Sequence, residues 1–329
     1  MADETRARRA FTGARDPEVE ALFARTLPQM AADIRARALP RLVGVWLGGG
    51  YGRGEGGVCR AADGAARPYN DVDLFVFTDG ASAREKAACA RALAEVAARY
   101  APVFGVDVDF CRPRNPADYK KDEGRLMIQE LKRGHVALLG GEGLLDHVAA
   151  LPAHALPRGE AARLLMNRGM GLVLAARARG GLGTRAGADF FLRNVNKAVL
   201  GAGDARLIAG GRYAWTLAAR VARLGEPSYA AAAAFKLRPS SALPADPDAA
   251  WRRAREAWMR SLEAVGLEGA RTLREAARWL VRRRTLGPAR TLGEDCTARV
   301  LRQVRDALAR DIDAVACAPS LERDWRVFN

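Results

Sequence analysis

The chain has 329 residues, 49% apolar and 28% charged, with a formal net charge of +15. That is the composition of a globular protein, and the length exceeds what a single core usually holds, so two domains are expected. No apolar run approaches the roughly 18 residues a spanning helix needs, and the first residues, MADETRARRAFTG, lack the apolar stretch of a secretory signal. A cytoplasmic protein with no membrane partner is expected.

Residues 17–38 read as a helix, broken or kinked near Pro28, with Leu22, Phe23, Met30 and Ile34 facing inward. The apolar run RLVGVWL (41–47) predicts a buried strand, and it runs straight into the glycine-rich LGGGYGRGEGG (47–57). So many glycines imply a main chain that turns sharply or is closely approached. DVDLFVF (71–77) predicts a second strand. An alanine-rich helix follows over 82–100 with Ser82 as its N-cap, then a third strand over 103–110, a helix over about 123–133 and a short strand at 135–140. Beyond residue 158 the pattern turns wholly helical, with segments at 160–178, 189–203 and 204–225. RGGLGTRAGA reads as a loop between the first two, RPSSALPADPDAA (238–250) as a linker, and three more helices should follow it. The prolines of LPAHALPRGE (151–160) mark a boundary between a domain at 1–155 and another at 156–329.

The charge divides unevenly between these halves. Residues 1–150 hold 22 basic and 21 acidic side chains, whereas 151–329 hold 31 and 17. The second half is therefore suited to something anionic. The skew of 47 arginines against 6 lysines, beside abundant alanine and glycine, also has a compositional explanation.

Zinc and Ser-His-Asp chemistry are poorly supported. The cysteines (Cys59, Cys89, Cys111, Cys296, Cys317) form no C-x-x-C pair, and His135, His147 and His154 show no metal-ligand spacing. No G-x-S-x-G elbow occurs.

The acids are more informative. Asp71 and Asp73 are two apart on a predicted strand, so they share a face. Two such carboxylates resist burial unless a cation lies between them. Asp107 and Asp109 repeat the arrangement on the next strand. Hard oxygen ligands beside a bare glycine turn describe a magnesium–nucleotide site, where two metals can clamp an in-line displacement.

The order GGYGRGEG, then NDVDLFVF, then VDVDF resembles the nucleotidyltransferase superfamily that includes DNA polymerase beta and the aminoglycoside nucleotidyltransferases. The likeness covers roughly residues 40–112. It implies an α+β fold with a nucleotidyltransferase-type mixed β-sheet core flanked by helices, followed by an all-α helical domain. It also implies Gly49 and Gly50 as the pair holding the triphosphate, and Asp71 and Asp73 as ligands of two Mg2+ ions. The third acid would be Asp109, with Asp107 as its rival. Arg53 and Glu55 match the R-G-E that follows the glycines in smaller members. Two departures stand out. Gly50 replaces the usual serine, and VCRAADGAARP lengthens the path to Asp71 as an apparent inserted hairpin or loop.

Three basic features remain. Arg53 could meet the triphosphate or pair with Glu55 or another local acid. Lys197, in NVNKAV, could reach a phosphate or be solvated. Arg271, Arg274, Arg278 and Arg282 recur at helical spacing and could track a phosphate backbone or form a solvated face. The expected activity is Mg-dependent transfer of a nucleoside monophosphate, with ATP the expected donor, to an acceptor hydroxyl. A small-molecule acceptor is favoured; RNA is the alternative, and a nucleotide-binding regulator without turnover is the non-enzymatic one.

Overall fold

The computed structural model describes residues 10–61, 63–266, 291–310 and 325. They are α+β and fall into two compact units. The first holds everything described up to Leu151 together with Leu237–Pro239, and the second holds the remainder from Pro152 onward.

The first unit is built on a four-stranded mixed sheet. Its strands are β1 (Leu42–Leu47), β4 (Val72–Thr78), β5 (Val108–Phe110) and β6 (Val136–Leu139), in the order β5-β4-β1-β6. β1 is antiparallel to both neighbours, and β4 runs parallel to β5. Both sheet faces are covered, which is why the strands read as continuous apolar runs instead of alternating ones. On one face Val45, Leu47, Val72, Leu74 and Val76 pack with Phe23, Met30 and Ile34 of α1 (Pro17–Ala36) and Leu93, Val96 and Phe104 of α3 (Ala83–Phe104). On the other, Trp46, Phe75 and Phe77 pack with Tyr119 and with Ile128 and Leu131 of α4 (Leu126–Arg133). A separate hairpin, β2 (Gly57–Arg60) with β3 (Ala66–Tyr69), fills the insertion between the glycines and the first acid pair.

Several sequence expectations need correction. α1 continues through Pro28 without a break, held by the apolar stripe Val19, Phe23, Leu27, Met30 and Ile34. The third strand starts at Val108 instead of residue 103, because α3 runs on to Phe104 and stops only at Gly105 in the left-handed conformation. Pro102 sits inside α3, so apolar residues before the glycine were helix, not strand.

The second unit is helical throughout its described residues: α5 (Arg158–Arg177), α6 (Arg185–Ala209), α7 (Leu217–Leu224), α8 (Pro227–Leu237, its last residue counted with the first unit), α9 (Pro247–Val265) and α10 (Thr291–Leu308). The segments expected at 189–203 and 204–225 are instead one long helix, α6, then a break and the short α7. α8 was not anticipated; its run YAAAAAF offers no apolar stripe to read. Trp251 and Trp258 of α9 are fully buried, and their indole N–H groups donate to the Leu172 and Leu165 carbonyls of α5 at 2.9 and 2.8 Å. Gly169 of α5 makes this approach feasible, since a Cβ there would run into Trp258. Among the described residues no helix is long and apolar enough to cross a membrane.

Candidate functional site

β1 delivers the chain into α2, a four-residue helix at Gly49–Gly52. The Gly48 N–H donates to the Asp73 carbonyl at 2.9 Å, tying the glycines to β4. Gly49 has φ +58, and a Cβ on it would overlap the Asp73 carboxylate. Glycine is therefore required here twice over, by conformation and by space. The Asp73 side chain lies directly against bare main chain. Gly50 is different: the nearest atom to a Cβ there is the Glu55 carbonyl oxygen at 3.5 Å, ordinary contact.

The parallel ladder sets Asp73 opposite Asp109, between the pairs Val72–Val108 and Leu74–Phe110. The Val72 N–H donates to the Asp107 carbonyl at 2.9 Å, extending the ladder to the strand start. By strand alternation Asp71 and Asp73 share the face of Phe75 and Phe77, and Asp107 and Asp109 share that face on β5. Asp71 and Asp73 are half-buried, and Asp107 and Asp109 are exposed along the sheet edge.

The charges feel one another. Partial withdrawal from water, then the like charges of Asp71 and Asp107, hold the Asp109 carboxyl above the usual carboxylate range. The neighbouring Cys111 thiol is pushed up to about 11, first by burial and then by Asp73, Asp109 and Asp71. The protonated thiol is thereby favoured at neutral pH. Asp109 thus feels Asp71 and Asp107, and Cys111 feels Asp73, Asp109 and Asp71, so all four acids act on this patch. Among the described residues, however, no three His, Cys, Asp or Glu side chains already converge as metal ligands.

Three residues that sequence reasoning did not select belong to this locale. Asn70 adopts φ +76, and its amide donates to the Asp71 carboxylate. Tyr51, 2% exposed, stands in α2 and bonds to the hairpin. Cys111 is the third. An asparagine directly before the acid pair, and one aromatic amid seven glycines, were the available signals.

The basic candidates are placed less favourably. Arg53 faces two carboxylates, Glu130 at 2.9 Å and Glu55 at 3.6 Å, with its side chain only 16% exposed. The local ion pair is what the structure shows for it. Lys197 lies half-buried on α6 in the second unit. Arg271, Arg274, Arg278 and Arg282 lie outside the described residues. No family model, curated protein or solved structure matches the chain.

Proposed function

We propose that the first unit is a Mg-dependent nucleotidyltransferase, moving a nucleoside monophosphate from a nucleoside triphosphate to an acceptor hydroxyl with release of pyrophosphate. The observation that carries this reading is the Asp73 carboxylate seated on Gly49 while Asp73 pairs in register with Asp109. It sets one carboxylate against side-chain-free main chain, with a second acid opposite it on the next strand, the kind of surface that a metal-bound triphosphate requires. The succession of strand, glycines, antiparallel strand with D-x-D and parallel strand with a further acid supports the same reading.

A divalent cation fits the donor set, because four carboxylates share one face and, among the described residues, no basic side chain pairs with Asp71, Asp107 or Asp109. Asp71, Asp73 and Asp109 would hold Mg2+, which supplies charge neutralisation of the triphosphate. Gly49 and Gly50 expose main chain that a triphosphate can approach without meeting a side chain. Asn70 orients Asp71 through its amide. The proton of the acceptor hydroxyl would go to Asp109 or be released by polarisation at the metal. A bond then forms from the acceptor oxygen to the α-phosphorus, and the bond to the bridging oxygen of pyrophosphate breaks. The contribution of the chain is mainly positioning and electrostatics.

A small-molecule acceptor is the favoured class. An RNA acceptor is a second reading, favoured by the net +14 of residues 151–329, 31 basic against 17 acidic. The test is pyrophosphate release and adduct mass, measured with all four nucleoside triphosphates against a panel of small hydroxylic acceptors and transfer RNA. A monophosphate adduct supports the reading and names the acceptor class. Nucleotide binding without pyrophosphate would mark a regulator instead.

A further inference from the structure

The Tyr51 hydroxyl sits where three parts of the first unit meet. It accepts the Tyr69 N–H at 2.7 Å and donates to the Gly57 carbonyl at 2.8 Å, with the Tyr69 carbonyl at 3.0 Å as the other acceptor in reach. Gly57 opens β2 and Tyr69 closes β3, so these bonds span the root of the inserted hairpin. The ring stacks on Phe23 of α1, centroids 4.6 Å apart, and a Cβ at Gly56 would overlap it. The side chain therefore has one place to be.

The hairpin is held at its other end as well. Arg60 pairs with Asp16 at 3.0 Å and Glu18 at 3.1 Å, and the Ala66 N–H donates to Glu18 at 3.0 Å. With that end fixed to α1, the position of its root decides where the chain enters Asn70 and Asp71, two residues after Tyr69. Tyr51 itself belongs to α2, the helix whose Gly49 carries the Asp73 carboxylate. A closed path results: α2 through the hydroxyl to Tyr69, along Asn70 and Asp71 to Asp73, and back to Gly49. We propose that the Tyr51 hydroxyl is a positioning group that fixes Asp71 and Asp73 against the glycine-rich helix, so that the inserted hairpin sets the spacing between acids and triphosphate cradle. This rests on the function proposed above for the acids, but the clamp itself does not.

The test compares wild type, Tyr51→Phe and Ile34→Val. Phenylalanine keeps the stack on Phe23 and removes only the hydroxyl. Ile34, fully buried near the C-terminal end of α1, supplies a variant that loosens the same core and touches neither the hairpin nor the clamp. Amide hydrogen exchange reads the clamp without reference to activity. In Tyr51→Phe, exchange should speed up at Tyr69 and also at Gly48 and Val72, whose N–H groups bond to Asp73 and Asp107. Mn2+ binding, followed by loss of the free-ion paramagnetic resonance signal, reads the acids. Affinity should fall about tenfold or more in Tyr51→Phe, the usual effect of losing a group that orients metal ligands. It should stay near wild type in Ile34→Val. Exchange changes confined to Tyr69, or an equal loss of Mn2+ affinity in Ile34→Val, would overturn the proposal. Wild type that binds no Mn2+ would refute the metal reading of the acids, while the exchange result still decides the clamp.

Discussion

Replacing Asp109 by asparagine should stabilise the metal-free protein. Besides its partial burial, Asp109 feels the like charges of Asp71, diagonal to it across the strands, and of Asp107, two residues back on β5, each about 7 Å away, and these oppose folding. At that separation two unit charges repel by about 0.6 kcal/mol in water's permittivity and about 2.4 kcal/mol at an effective value of 20. Asp109 is exposed, so solvent screening favours the lower end, and we expect a gain of about 1 kcal/mol. For a unit of this size that is a rise of about 2–4 °C in Tm. The sign with pH follows from the raised Asp109 carboxyl. A raised folded value means that the native state holds the proton more tightly than the unfolded chain does, whose value is about 3.9. The penalty is therefore absent below that value, grows as pH climbs through the folded value, and is complete at neutral pH. Thermal unfolding with chelator at pH 7.5 should thus show the full gain for Asp109→Asn, and the gain should shrink toward pH 4. It should shrink with added salt too, and Mg2+ should stabilise wild type more than the variant. A lower Tm at pH 7.5, or a gain independent of pH, would refute the reasoning that the acids repel one another.

The two glycines should separate cleanly. Gly49→Ala forces a side chain into a left-handed backbone and against Asp73, costing about 1–2 kcal/mol from the backbone alone and abolishing turnover, whereas Gly50→Ala should unfold within about 1 kcal/mol of wild type in urea. In the helical unit Arg220, 3% exposed, contacts Asp204 at 3.1 Å and donates to the Tyr213 hydroxyl at 3.0 Å. Arg220→Met removes the guanidinium and leaves Asp204 with the Tyr229 hydroxyl as a donor at 2.6 Å, so stability should fall by about 3 kcal/mol, the lower end for breaking a buried pair, read from the urea midpoint. If RNA is the acceptor, Arg274, Arg278 and Arg282 changed together to glutamine should reduce the salt slope of binding by about 0.9 for each lost phosphate contact; with a small acceptor, turnover should not change.

Much of the first unit was legible because its strands are short, apolar and ended by glycine or acid. RLVGVWL and DVDLFVF needed no tertiary information to be read. The Asp73–Asp109 pairing was not legible, since alternation leaves Asp107 and Asp109 equivalent and only the ladder register separates them. VFGVDVDF misled at its start because Val103 and Phe104 suit a strand but lie before the glycine that caps α3. The roles of Tyr51 and Asn70 depend on bonds to main chain and to a neighbouring acid that no spacing encodes. Arg53 could be read in two ways from sequence, and the structure supplies Glu130, 77 residues away, as its nearer partner.

In the function proposed above, Asp71 and Asp73 hold a metal-bound nucleotide. Isothermal titration of MgATP into wild type and Asp73→Asn tests it most directly, with circular dichroism confirming that both are folded. Saturable, Mg-dependent heat is expected in wild type and none in the variant. Equal MgATP affinity in the two proteins, or no binding by wild type of any of the four nucleoside triphosphates, would contradict it.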